Sequence, residues 1–229
     1  MIRPLLARHL IYPFHERLMK RPTFGYLSEL ENSQWLTRPE LEKLQEKKLT
    51  DLIKSAYTHT PWHRERILAA GIDPDAQVTL DDLRTLPVMD KQDAFTHGDE
   101  MVWHTVPGGT FKYNTGGSSG QPLIFHYGRR RQASDAAGRM RARRWWGVEP
   151  GDPEVYLWGA PVELDKTDRV KTLRDRLLNQ LVLNAFEMSP ASMDIYAQAV
   201  QSWQPCCIYG YASSLALFAA HVIERSVRF

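Results

Sequence analysis

The chain has 229 residues, 43% of them hydrophobic and seven of them tryptophan, enough for one large domain or two small ones and too apolar for a disordered chain. Its 29 basic and 27 acidic residues leave a formal net charge of +2, so no global field points to nucleic acid as a partner. The two cysteines, Cys206 and Cys207, are adjacent. That spacing suits neither a disulfide framework nor a zinc site, and it fits burial in a strand of a protein in the reducing cytoplasm.

Residues 1–20 read as a helix with apolar positions at Leu5, Leu6, Leu10, Phe14 and Leu18, limited or kinked by Pro13. Arg3, Arg8, His9, Arg17 and Lys20 interrupt the apolar run, and no small-residue cleavage site follows, so the segment is not a signal peptide. It reads either as a basic amphipathic helix on a membrane surface or, more simply, as a helix packed on its own domain. Residues 21–36 read as irregular. Thr37 and Glu40 form a capping box with Pro39 in the first turn, which predicts a helix to about residue 58. A short helix restarts at Pro61 and stops at Gly71; Asp73-Pro74-Asp75 is a turn; Thr79 caps another short helix; residues 90–95 form a further helical turn. Residues 104–110 read as a connection.

The pattern then changes. A strand over 122–127 is followed by a long helix over 129–146, a strand over 154–158, a helix over 167–180 and a strand over 181–186. Ser189-Pro190 opens a helix that Pro205 ends; a strand over 206–209 and a helix over 213–224 complete the chain. The run 215–223 is the longest apolar stretch, but it is broken by His221 and falls short of the ~20 residues of a membrane span. Strands alternating with helices of this length predict βαβ units and a mainly parallel sheet. The fold class is therefore α/β, with a helical N-terminal portion at 1–105 and an α/β portion at 106–229. Ligands of such sheets bind beyond the carboxyl ends of strands, which makes the loops at 128, 159–162 and 210–213 candidate pocket walls.

Early in the α/β portion lies the most informative stretch, Tyr113-Asn114-Thr115-Gly116-Gly117-Ser118-Ser119-Gly120-Gln121-Pro122. Its glycines permit positive φ and close backbone approach, its successive N–H groups can form an anion nest, and its hydroxyls add donors. It reads as a phosphate loop or as a flexible linker; tight bracketing by Tyr113 and Pro122, with a strand at once behind, favours the phosphate. A Walker loop would require Gly-Lys-Ser/Thr, and a Rossmann fingerprint glycines at i, i+2 and i+5; neither is present.

The run from Thr115 to Pro122 resembles the phosphate loop of adenylate-forming enzymes, usually Thr-Ser-Gly-Thr-Thr-Gly-Lys-Pro, with Gln121 in place of the usual lysine. Beyond it the chain resembles the phenylacetate–coenzyme A ligase-like branch of that superfamily, including members linked to capsular polysaccharide synthesis. Four further stretches carry this likeness: Leu86-Pro87-Val88-Met89-Asp90-Lys91; Arg144-Trp145-Trp146-Gly147 with Gly151-Asp152; Tyr156-Leu157-Trp158-Gly159; and Tyr209-Gly210-Tyr211-Ala212-Ser213-Ser214. The resemblance implies that a carboxylate attacks the α-phosphorus of ATP, releasing pyrophosphate, and that a thiol, often coenzyme A, then takes the acyl group. It implies that Thr115, Gly116, Gly117, Ser118, Ser119, Gly120 and Gln121 hold the phosphates, with Mg2+ neutralising the leaving pyrophosphate. Trp158, Gly159, Tyr209, Gly210, Tyr211 and Ser213 would line the acyl pocket, the alternative for each aromatic being ordinary core packing. The family's later elements, a Tyr-Gly-x-Thr/Ser-Glu stretch, a ribose-binding aspartate, a hinge and a C-terminal lysine, do not occur before Phe229. The expectation is therefore the N-terminal part of a longer cytoplasmic ligase, inactive alone, with no catalytic residue and no metal-ligand set of its own, and inclined to self-associate through a cut sheet edge. The rival reading is a non-catalytic module that binds a nucleotide or polyanion at a membrane surface.

Arg129, Arg130, Arg131, Arg139, Arg141, Arg143 and Arg144 crowd one helix opposite a lone Asp135. They read most simply as a solvated face, with Arg129 to Arg131 placed to supply the charge that Gln121 lacks. His126 reads as a satisfied or surface histidine that could face the loop.

Overall fold

A computed structural model describes residues 2–114, 122–159 and 166–229, the side chains of 166–169 apart. The phosphate-loop residues Thr115 to Gln121 lie outside the described residues. The chain divides into two compact units, one formed by Lys20–Gly138 and the other by Met1–Met19 together with Arg139–Phe229.

The Lys20–Gly138 unit is largely helical. Helix α3 (Thr23–Ser33) occupies a stretch that reads as irregular in the sequence. No side chain caps its start, so the usual signal is absent, and burial of Thr23 and Leu27 holds it instead. Helix α4 (Arg38–His59) begins at the predicted capping box, where the Thr37 N–H donates to Glu40 Oε2 at 2.8 Å. Helices α5 (Pro61–Ala69), α6 (Leu80–Thr85) and α7 (Lys91–His97) follow. Gly71 takes the left-handed φ of +70° that ends α5. Thr79 and Asp90 cap α6 and α7, each in a box with an aspartate three residues on. Leu49 and Ile53 of α4 pack with Ile67, Ile72 and Val78 into one apolar core. Strand β1 (Thr110–Asn114) pairs antiparallel with β2 (Ile124–Gly128). The sequence reading lacks β1, whose residues are mostly exposed and whose cross-strand ring pairs form only on folding: Tyr113 with Phe125 at 5.2 Å and Phe111 with Tyr127 at 5.9 Å.

In the other unit, β3 (Glu154–Trp158), β4 (Gln180–Asn184) and β5 (Cys207–Gly210) form a parallel sheet in the order β4-β3-β5. Trp158 pairs with Asn184, and Leu157 with Gly210. The connections are α9 (Lys166–Leu177) and α10 (Pro190–Trp203), and α11 (Ala212–Glu224) follows β5. This is the predicted α/β arrangement, with the β1–β2 hairpin added. Side chains alternate across each strand. Val155, Leu157 and Leu183 point to one face and pack with Met193, Tyr196, Ala197 and Val200 of α10 and Phe218 and Val222 of α11. His221, which interrupts the apolar run of α11, is buried and meets Asp194 of α10 at 2.8 Å. Among the described residues no helix is long and apolar enough to cross a membrane.

Two expectations change here. Cys206 is exposed and Cys207 half-buried, because they stand at the start of β5, which among the described residues pairs with β3 alone. The N-terminal helix forms as α1 (Pro4–Leu6), a π-helical segment Ala7–Ile11 and α2 (Tyr12–Leu18). Pro13 has no N–H to donate and its ring crowds the carbonyl four residues back, so the ladder widens just upstream. The buried positions are Ala7, Tyr12 and Glu16, whereas Leu5, Leu6, Leu10, Phe14 and Leu18 face outward. The helix is anchored at its start by Asn179, fully buried at φ +58°. Its amide donates to the carbonyls of Ile2 and Gly151, both at 2.8 Å, and its oxygen accepts from the Ile2 N–H at 2.9 Å.

Candidate functional site

In the Lys20–Gly138 unit, the pairing of Asn114 with Ile124 brings together the two ends of the Gly/Ser loop. Residues 114 and 124, which flank that stretch, are thus partners across an antiparallel pair of strands. Of the three arginines expected to supplement it, Arg129 lies 4.2 Å over the Phe111 ring and bonds Gln132 at 3.2 Å. Arg131 stands 3.9 Å from Asp135, and Arg130 is exposed. Along β2 the same unit contains a cavity of about 350 Å³ lined by Met89, Met101, Trp103, Ile124 and His126 among others. Its lining is mostly apolar, with Thr110, His126 and Tyr127 the polar side chains.

The second set of candidates comes together at the carboxyl ends of β3 and β5. The face of the sheet opposite the apolar core carries Glu154, Tyr156 and Trp158 from β3 and Tyr209 from β5. Tyr211 follows one turn of the backbone later, as the N-cap of α11. The Trp158 ring stacks on Tyr211 at 4.4 Å and 15° and on Tyr209 at 5.7 Å and 19°. All three remain about two-fifths exposed: 39%, 40% and 42%. This is neither full core packing nor a loose surface. It is a rigid aromatic shelf with one side open, a surface that can stack on a planar group. Ser213 is exposed in the first turn of α11.

The two glycines of the shelf face different obstacles, a backbone oxygen and the ring of an exposed side chain. A Cβ on Gly210 would lie 2.4 Å from the Leu157 carbonyl oxygen, and one on Gly159 would lie 2.3 Å from the Phe186 ring.

Beneath the shelf sits a buried polar group that sequence reasoning missed. Arg143, at the end of α8 (Arg129–Arg144), lies 5.1 Å from the ring centres of both Tyr156 and Tyr209. Its Nε is 2.8 Å from Glu154 Oε2, an ion pair without hydrogen-bond alignment. Glu154 is only 3% exposed. The Tyr156 hydroxyl lies 3.4 Å from the same carboxylate, and the Gln180 amide donates to the Tyr12 hydroxyl at 2.6 Å. Burial raises the Glu154 carboxyl above the usual range, against the pull of the Arg143 cation. Burial also raises the Tyr156 and Tyr12 phenols, which stay neutral donors. For Arg143, burial works against the charge, but Tyr156 and Glu154 outweigh it and hold the guanidinium protonated. The only sequence signal for this group was the run of arginines, which does not say which one turns inward.

No family model matches the chain. Protein CapK from Staphylococcus aureus is 21% identical over 152 residues, covering 66% of this chain and 34% of its own length. Among solved structures, 2-hydroxyisobutyryl-CoA ligase in an open conformation with 2-HIB-AMP and CoA matches with a TM-score of 0.61 and 21% identity. The match covers 84% of this chain and 45% of the ligase. The same ligase in its thioesterification state gives a TM-score of 0.56 and 23% identity, over 84% and 41%. The chain thus spans about a third to under a half of the length of these proteins. It has the fold of part of that CoA ligase.

Proposed function

We propose that this chain contributes the phosphate loop and one wall of the acyl site to an ATP-dependent, AMP-forming carboxylate–CoA ligase. The observation that carries the reading is the coincidence of that ligase fold with a Thr-Gly-Gly-Ser-Ser-Gly stretch in the sequence between the paired strands β1 and β2. In this reading the hydroxyls of Thr115, Ser118 and Ser119 and the N–H groups from Gly116 to Gln121 hold the β- and γ-phosphates of ATP. That donor set fits phosphate oxygens. Mg2+ bound with the nucleotide would neutralise charge on the departing pyrophosphate. The carboxylate attacks the α-phosphorus, pyrophosphate leaves, and the thiol of CoA then displaces AMP. Trp158, Tyr209 and Tyr211 would wall the acyl group, with Gly159, Gly210 and Ser213 at the margins, and an aryl acid suits the shelf. Catalysis by these residues is positioning and charge stabilisation.

The matched ligases are more than twice as long as the region this chain covers, so we expect residues 1–229 alone to lack turnover. The compartment is the cytoplasm, and capsular polysaccharide assembly is the process that similarity to CapK suggests. The test is carboxylate-dependent ATP–pyrophosphate exchange by the longest natural protein that carries this sequence. Exchange with at least one carboxylate, abolished by Ser118→Ala/Ser119→Ala, is expected. Salt-sensitive binding of polyanions with no exchange for any acid would replace this reading with that of a non-catalytic module.

A further inference from the structure

We propose that the N-terminal helix, residues 4–18, is a docking surface for an anionic lipid membrane. Single exposed leucines are ordinary on a protein surface, but a row of large apolar side chains at helical spacing is not. Leu10, Phe14 and Leu18 stand four residues apart, at 62%, 69% and 68% exposure, and Leu5 adds 66%. The opposite side of the same helix is buried through Ala7, Tyr12 and Glu16. The helix is thus fixed to its unit by its small and polar side and presents its apolar side outward, the reverse of a helix whose apolar stripe builds a core.

The charges choose the occupant. Arg3, His9 and Arg17 are exposed on this segment. The only acid in residues 1–19 is Glu16, which is 4% exposed and holds His15 Nδ1 at 2.9 Å. The outward side therefore carries apolar groups and positive charge with no exposed carboxylate, although acids and bases are nearly balanced over the whole chain. A convex helix with an apolar ridge and cations of one sign complements a planar anionic phase, with the ridge at the acyl boundary and the arginines among the headgroups.

A second feature tied to this helix has the same character. Trp145 and Trp146 are 63% and 85% exposed. The turn that follows them is fastened to the helix: Arg8 donates to the Pro150 carbonyl at 3.3 Å and to Asp152 at 2.9 Å. Gly151 approaches Ala7 so closely that a Cβ there would lie 2.9 Å from the Ala7 methyl. Tryptophan is the residue enriched at the membrane–water boundary.

The experiment is co-sedimentation of the full chain with phosphatidylglycerol–phosphatidylcholine vesicles and with phosphatidylcholine vesicles alone. Binding to the anionic vesicles only, weakening as salt rises, is expected. Leu10→Asp/Phe14→Asp should abolish it, and circular dichroism will show whether that variant is folded. Arg3→Gln/Arg17→Gln, which leaves the apolar ridge intact, should weaken partitioning by roughly thirtyfold, the factor expected for the loss of two basic residues near the surface. Absence of vesicle binding overturns the proposal. So does binding that the folded Leu10→Asp/Phe14→Asp variant leaves unchanged, or equal binding to a soluble anionic polysaccharide. If vesicles are not bound and light scattering shows a dimer that Leu10→Asp/Phe14→Asp dissociates, the face is an interface between copies and the proposal fails. None of these readouts depends on ligase activity.

Discussion

Replacing Arg143 by methionine should destabilise the protein strongly at pH 7 and much less at pH 5. The substitution keeps the length of an apolar stem but removes the cation 2.8 Å from a carboxylate that is 3% exposed. Leaving one member of a buried pair uncompensated costs about 3–5 kcal/mol, and the two lost ring contacts add about 0.5–1 kcal/mol each. The sign of the pH dependence follows from Glu154, whose carboxyl burial already raises above its usual range. Removing the opposing Arg143 raises it further. A carboxyl with a raised folded pKa favours the folded state while protonated, and this is lost as pH rises through that pKa. The deficit of Arg143→Met relative to wild type should therefore be largest above the raised pKa and shrink as pH falls towards the ordinary glutamate range. The double variant Arg143→Met/Glu154→Leu removes both charges and should recover most of the loss, since replacing a whole buried pair by apolar groups is often neutral. The assay is urea unfolding followed by far-UV circular dichroism at both pH values. A loss under about 1 kcal/mol for Arg143→Met, or a double variant as unstable as the sum of the singles, would show that the pair is effectively solvated and refute the reasoning.

Other residues give sharper local tests. Gly210→Ala places a methyl 2.4 Å from a backbone carbonyl that cannot swing away, so a loss of about 1–3 kcal/mol is expected in urea titration. Gly159→Ala should cost less, because the obstructing Phe186 ring is 71% exposed and free to turn. Thr79→Ala removes the cap of α6 and should cost about 1 kcal/mol. The Asp82 carboxyl that Thr79 holds below the usual range gives stability above the ordinary aspartate pKa that is lost as pH falls through the depressed one, so Asp82→Asn should flatten the acid limb of a pH–stability curve. Burial first, then neighbouring acids, push the Cys206 and Cys207 thiols up. Iodoacetamide alkylation followed by mass spectrometry should therefore be slow at neutral pH and accelerate only above the ordinary thiol range. In a ligase-competent form of the protein, Arg130→Ala should weaken ATP binding if that exposed side chain supplies the charge Gln121 lacks; unchanged affinity would remove Arg130 from the site.

What the sequence made legible was what is decided within a few residues. Thr37 with Glu40, Thr79 with Asp82 and Asp90 with Asp93 are capping boxes, and each marked its helix because cap and partner are three residues apart. The apolar strands of the parallel sheet were visible as short runs between turns. Helix α3 was not, because its stability comes from burying Thr23 and Leu27 and not from a cap. Strand β1 was not, because its partner is met only across the Gly/Ser loop. The Asn179 clamp on Ile2 joins residues 177 positions apart, and no local pattern encodes it. Of the site, the aromatic and glycine positions were legible as strand ends. That Arg143 turns inward under Tyr156 and Tyr209 depends on which side of the 139–144 stretch meets the sheet.

The alternation of β3 explains why the shelf and the core need each other. Val155 and Leu157, at 0% and 1% exposure, are sealed by α10 and α11 on one face. Tyr156 and Trp158 stand between and beyond them on the other face. A one-residue slip of β3 would put Trp158 into the apolar core and a leucine on the shelf, so the buried face fixes the register that stacks Trp158 on Tyr211. Gly210 completes the constraint, since its missing side chain lets β5 lie close enough to Leu157 for Tyr209 to reach both Trp158 and Arg143. The residues that hold the sheet together and those that shape its open face are therefore the same few residues read on opposite sides. Substitutions in the Val155–Leu157 core should for that reason disturb ring stacking at Trp158 before they unfold the unit.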